Sequence, residues 1–245
     1  WELKVKATFT HSSGLEKNID GFFYRDFQYT QDMLDWEEIA IDHRFRVRFA
    51  PPKNGEWTCS ISIFMGGEDQ PDEVFTADSF QFNVVESGNP GYFEVAPNNR
   101  NFMLGGDVKI PIGVNLPWPN TRGEVQYGPD KSQPQAYLNY LESITAYADQ
   151  GGRYFRSIID PRSTDIEYEK VGNYYDRLTY AWEQDKLFDM LNDRNLYMNW
   201  TMMMHTQIQL TGGYYHFGWD FTQDSCGNNG LGASRKPWGY KEYFN

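Results

Sequence analysis

The first hundred residues alternate. Trp1, Leu3, Val5, Ala7 and Phe9 are separated by mostly polar residues, the two-residue period of a strand with one buried face. Phe45, Val47 and Phe49 repeat it between Arg44, Arg46 and Arg48. After the turn-forming run Pro51-Pro52-Lys53-Asn54-Gly55, Trp57, Cys59, Ile61 and Ile63 repeat it once more, which predicts a β-hairpin. Phe80, Phe82 and Val84 supply a further strand. Short alternating segments at this spacing predict an antiparallel β-sandwich.

Beyond the turn cluster Ser87-Gly88-Asn89-Pro90-Gly91 the period changes. Val108 to Leu116 reads as a largely apolar strand. Gln135 to Gln150 has helical spacing, with Leu138, Leu141, Ile144 and Ala148 on one side, and Gly151-Gly152 supplies the residue type that ends helices in a left-handed conformation. Arg153 to Ile159 predicts a second strand, Asp176 to Asn192 a second helix, and Leu196 to Met204 a third, continuously apolar strand. Strands alternating with helices imply right-handed βαβ units and a parallel sheet, either open and doubly wound or closed as a barrel. A dinucleotide-binding sheet would place a glycine-rich loop after its first strand, but here the strand runs into Asn115-Leu116-Pro117-Trp118-Pro119. Nucleotide binding is disfavoured. Rings and amides at strand carboxyl ends are what a (β/α)8 barrel uses on its catalytic face.

Composition narrows the partners. The 245 residues carry a net charge of -12, which repels nucleic-acid phosphates and anionic membrane surfaces. No apolar run approaches the ~20 residues of a membrane span. The amino-terminal residues form an alternating strand rather than a signal peptide, so an export signal is expected to have been removed. Tyr, Phe and Trp make up 17% of the chain. Rings without basic charge suit carbohydrate, whose C–H faces pack on flat apolar surfaces, and equally suit a ring-rich core. Cys59 and Cys226, far apart, cannot form a disulfide framework.

Three segments carry a family resemblance. Phe45-Arg-Val-Arg-Phe-Ala-Pro-Pro-Lys-Asn-Gly-Glu-Trp57 resembles the RF-x-P-x-x-G-x-W hallmark of the DUF5060 β-sandwich, the N-terminal module of many bacterial glycoside hydrolases. Phe82 to Gly91 is similar to that family's last strand and linker. Phe102-Met-Leu-Gly-Gly-Asp-Val-Lys-Ile-Pro-Ile-Gly-Val-Asn115 is similar to the entry into a clan A glycoside hydrolase barrel. The resemblance implies a multidomain chain: an antiparallel, immunoglobulin-like β-sandwich over residues 1–87, a linker and barrel entry over 88–104, and an α/β part, a partial (β/α)8 TIM barrel, over 105–245. It implies a secreted, periplasmic or cell-surface enzyme acting on a poly- or oligosaccharide, with no cofactor, no metal and no nucleic-acid partner.

Site residues follow by matching positions. Clan A barrels carry an arginine near the end of the second strand, in a pattern like G-x-N-x-x-R, that holds the nucleophilic carboxylate. Gly151-Gly-Arg-Tyr-Phe-Arg156 fits that spacing with Arg153 in place of Asn, so Arg156 is the candidate, with a salt bridge elsewhere in the wall as the alternative. Asn115 and Trp118 would line the floor and a subsite, although a tryptophan between two prolines is equally a loop anchor. His205 follows the third strand, where a substrate-binding or structural histidine is expected. His216, Trp219 and Asp220, in the ring-rich loop Tyr214 to Asp220, would contact sugar. His205, His216, Asp220 and Cys226 lack the close spacing of a metal site. Asp160, before Pro161, reads as a turn former rather than a general acid. The two catalytic glutamates of the clan, on the fourth and seventh strands, would lie beyond Asn245. The chain therefore reads as truncated, proteolysed or the first part of a longer polypeptide, and a non-catalytic carbohydrate-binding or assembly protein is the competing class.

Overall fold

The computed structural model describes residues 3–30, 35–66, 73–119, 133–159, 164, 166 and 174–201. They fall into two compact units, one drawn from Trp1–Tyr24 and Ala40–Ile110, the other from Arg25–Ile39 and Pro111–Asn245. Most of the elements are β-strands in several sheets, mainly antiparallel, joined by two α-helices.

In chain order the strands begin with β1 (Leu3–His11), β2 (Glu16–Asp20) and β3 (Phe22–Phe23). Next come β4 (Asp26–Thr30) and β5 (Asp35–Ile39), an antiparallel hairpin that groups with the second unit. The first unit continues with β6 (Phe45–Arg46), β7 (Gly55–Met65), β8 (Glu73–Thr76) and β9 (Phe80–Val84). Its main sheet has the order β2-β1-β7-β8, with β9 also paired to β7, and every pairing is antiparallel. β1 meets β7 in a register that sets Ala7 opposite Ile61, Phe9 opposite Cys59 and His11 opposite Trp57. The period-two pattern therefore falls on one buried face, where Ala7, Phe9, Trp57 and Cys59 form a core with Phe49 and Phe82 packed against it. β3 pairs only with the two residues of β6, so the alternating Phe45–Phe49 segment is ladder-paired over its first part and packs by its side chains thereafter.

The turn into β7 explains its own sequence. The Trp57 indole N–H donates to the Lys53 carbonyl at 2.9 Å, and His11 Nε2 donates to the Asn54 carbonyl, also at 2.9 Å. The backbone N–H of Ser13 donates to His11 Nδ1, which assigns the histidine proton to Nε2. Between these anchors Gly55 takes φ +119°, and a Cβ there would lie 2.8 Å from His11 Nε2. Only glycine meets both demands.

A small antiparallel sheet follows, β10 (Glu94–Val95), β11 (Phe102–Leu104) and β12 (Asp107–Lys109). The apolar run read as one strand from Val108 to Leu116 is in fact divided. β12 ends it on one side, and β13 (Val114–Asn115) opens a different sheet on the other. Pro111, which has no N–H to give a ladder, lies between them, and Ile110 and Ile112 are 77% and 82% exposed.

The second unit contains β13, α1 (Gln133–Asp149), β14 (Tyr154–Ile158), α2 (Leu178–Asp193) and β15 (Tyr197–Thr201). The three strands lie in the order β13-β14-β15 and are parallel throughout. Helix boundaries differ from the sequence reading by one or two residues. α1 stops at Gly151, φ +89°, whose N–H donates to the Ala148 carbonyl, and Asn195, φ 52°, does the same service after α2. Tyr140, Ile144 and Ala148 of α1, Leu187 and Leu191 of α2, and Phe155 of β14 form the core, so both helices cover the sheet face that carries Phe155.

Gly113 locks β13 to β14. A Cβ there would collide with the Tyr154 carbonyl oxygen. Gly113→Ala is expected to destabilise this unit by about 1–3 kcal/mol, since backbone rather than a flexible side chain must yield. Urea unfolding measures it, and an unchanged midpoint would contradict the close approach.

Candidate functional site

Strand alternation sorts β14. Phe155 and Ser157 are fully buried on the helix side, and Tyr154, Arg156 and Ile158 occupy the other face. In parallel register Asn115 pairs with Arg156 and Arg156 with Asn199, so a polar row of amide, guanidinium and amide crosses three adjacent strands. All three residues are exposed. Arg156 is the third of five residues in β14, rather than its last, and is level with the carboxyl end of β13.

The guanidinium is held at one edge. Arg156 Nε donates to Thr201 Oγ1 at 3.0 Å, and Thr201 Oγ1 donates in turn to Asn199 Oδ1 at 3.3 Å. Among the described residues nothing else hydrogen-bonds or ion-pairs with the Arg156 side chain. Its two terminal nitrogens therefore present a planar fork, the shape that matches a carboxylate bidentately.

The turn after β13 is pinned from beneath. Ser157 Oγ and the Ile158 N–H both donate to the Pro117 carbonyl, at 3.0 and 2.7 Å, and the Tyr140 hydroxyl lies 2.8 Å from both the Leu116 carbonyl and Ser157 Oγ. Burial pushes the Tyr140 hydroxyl up to about 12, with the Ser157 hydrogen bond opposing, so it stays a neutral donor. These bonds fix where half-buried Trp118 begins, one residue beyond Pro117.

Arg153, which stands where the resembling pattern has Asn, does different work. Its Nη1 donates to the carbonyls of Ala148 and Gly152 at 3.1 and 2.7 Å, capping the end of α1. His205, His216, Trp219 and Asp220 lie outside the described residues, as does Asp160. The structure thus brings Asn115 and Arg156 together and adds Asn199 and Thr201, which the reading of β15 as continuously apolar passed over. Their signal is the alternation Tyr197, Asn199, Thr201 inside that run.

Residues 1–63 match the family model described as domain of unknown function DUF5060. The match runs from β1 through most of β7, with the β4–β5 hairpin of the second unit inside it, and includes the Gly55 turn and Trp57. No curated protein and no solved structure matches the chain. No helix among the described residues is long and apolar enough to cross a membrane.

A second polar cluster joins the hairpin to the helices of its own unit. Trp36 Nε1 donates to Glu183 Oε1 and Trp182 Nε1 to Asp26 Oδ1, each at 2.6 Å, with the two indole rings 4.9 Å apart. Tyr137 packs edge-on against Trp36 and donates to the Glu183 backbone carbonyl at 2.8 Å. Glu183 is 2% exposed, and its Oε2 has no hydrogen-bond partner among the described residues. Burial pushes this carboxyl well above the usual carboxylate range, against the Trp36 N–H, the nearby Gln133 amide and the Arg177 charge.

A raised carboxyl keeps its proton in the folded state at pH values where the unfolded chain has lost it, so stability is full below the unfolded value of about 4.3 and falls as pH rises toward the folded value. The slope is bounded by one proton, about 1.4 kcal/mol per pH unit. Glu183→Gln keeps the shape and removes the titration. Urea midpoints followed by tryptophan fluorescence are expected to fall between pH 5 and pH 8 in the parent and to stay flatter in the variant. Equal slopes would contradict the assignment.

Proposed function

We propose that the chain forms the sandwich and barrel-entry region of an exported glycoside hydrolase that cleaves O-glycosidic bonds of a poly- or oligosaccharide with retention of configuration. In this reading the first unit is a two-layered β-sandwich and the β13-α1-β14-α2-β15 run begins a (β/α)8 barrel. The observation that carries it is the row Asn115-Arg156-Asn199 on the sheet face opposite α1 and α2, with a guanidinium fork that has no partner among the described residues. If the sheet closes into a barrel, that face is the inner one, where a fork suits a carboxylate. The DUF5060 match over residues 1–63 and the resemblance of Phe102 to Asn115 support the same reading.

Retaining hydrolysis uses two carboxyl groups about 5–5.5 Å apart, one attacking the anomeric carbon and one giving and taking the proton. The resemblance assigns both to glutamates beyond residue 245. Arg156 would hold the nucleophile ionised and aimed. Asn115 and Trp118, with His205, His216, Trp219 and Asp220, would bind the sugar, amides taking hydroxyls and rings taking C–H faces.

The test is reducing-end release from a panel of neutral and acidic polysaccharides by the polypeptide that contains this chain. Release from at least one member is expected. Sugar binding without release from any member would favour the non-catalytic carbohydrate-binding reading instead.

A further inference from the structure

We propose that Thr201 and Asn199 are positioning residues for Arg156, fixing the edge of the guanidinium that it offers to a carboxylate. The proposal rests on the reading above that this face is the hydrolase site. An arginine on an exposed sheet face would sample many rotamers, and its fork would point in as many directions. Here one bond removes that freedom. Nε donates to Thr201 Oγ1, which anchors the Nε–H edge of the guanidinium and, among the described residues, leaves the two Nη groups as the remaining donors.

The acceptor is itself held. Thr201 is β-branched and stiff at χ1, and its hydroxyl proton is directed at Asn199 Oδ1, which leaves an oxygen lone pair for Arg156. The order of donation, Arg156 to Thr201 to Asn199, uses the Asn199 oxygen within the relay and leaves the Asn199 NH2 as a donor beside the fork. Register makes the relay a property of the sheet, because Asn199 is paired with Arg156 and Thr201 with Ile158, two residues along. Neither residue is in the buried core formed by Tyr140, Ile144, Phe155, Leu187 and Leu191.

The test is made on the whole chain labelled with 15N-arginine, with the Arg156 signal assigned by Arg156→Lys. Exchange of the Arg156 Nε–H with water is read in the parent, in Thr201→Val, in Thr201→Ser and in Asn199→Ala. Thr201→Val is expected to speed exchange about five-fold, the scale of one lost hydrogen bond, and Thr201→Ser to restore it to within about two-fold. Asn199→Ala, which spares the Thr201 hydroxyl, is expected to speed it about two-fold. Unchanged exchange in Thr201→Val and Asn199→Ala, with the parent's circular dichroism, would overturn the proposal. Should Thr201→Val not fold, the Asn199→Ala result decides alone. Because the readout needs no turnover, a Thr201-dependent signal in a protein without glycosidase activity keeps the positioning role and removes the hydrolase reading, so the two fail separately.

Discussion

Arg156→Ala is expected to lower kcat on the polysaccharide substrate about 100- to 1,000-fold, the scale on which a single preorganised donor to a reacting oxygen acts. Two charge-assisted bonds to one carboxylate are lost together, and the nucleophile is left free to turn away or take up a proton. KM should change little, since in this account the arginine touches the carboxylate rather than the sugar. Arg156→Lys should recover little, because an ammonium offers no planar fork. The fold should survive: Arg156 is exposed, its side chain makes one hydrogen bond among the described residues, and it lies on the face opposite Phe155 and the helix-packed core. Steady-state kinetics beside a thermal melt separate these effects. Near-normal turnover, or a melt lowered as much as the rate, would remove Arg156 from the site.

The largest expected loss of stability is at Trp57. The side chain is fully buried, stacks edge-on against Phe49 with ring centres 5.1 Å apart, and donates its indole N–H to the Lys53 carbonyl. Trp57→Ala should cost about 3–5 kcal/mol in lost contacts and cavity, with about 1 kcal/mol more for the orphaned carbonyl. Against a typical total of about 5–15 kcal/mol, that removes from about a third to all of the first unit's stability. Trp57→Phe refills most of the volume and is expected to lose less than half as much. Urea midpoints of the two variants give the comparison, and equal losses would show that the N–H, not the packing, holds the turn.

Much of this was legible in the residues themselves. The period-two runs through Val5 and Phe9 and through Trp57 and Cys59 are the paired, buried faces of β1 and β7, because a one-residue slip would have turned either run outward. Both helices, and the glycine stop of α1, follow from spacing and from Gly151. The DUF5060 resemblance at Phe45 to Trp57 lies within the matched residues 1–63.

Other features had no local signal. The hairpin Asp26–Ile39 groups with residues that follow Pro111, and nothing in its own pattern says so, since the partners Tyr137, Trp182 and Glu183 are over a hundred residues away. Glu183 reads as one more polar position on a helix, and only the tertiary contact with Trp36 buries it. The run Val108 to Leu116 has the composition of one strand, yet Pro111 cannot donate to a ladder and two sheets share it. Asn199 and Thr201 were hidden by the apolar residues between and beyond them, although their two-residue spacing was there to read.

The most direct test of the central claim is the anomeric configuration of the first product, followed by proton NMR in the opening minutes of hydrolysis before mutarotation. The expected product keeps the configuration of the bond that was cut, as a carboxylate nucleophile oriented by Arg156 requires. An inverted product, or no product from any polysaccharide to which the polypeptide binds, would contradict it.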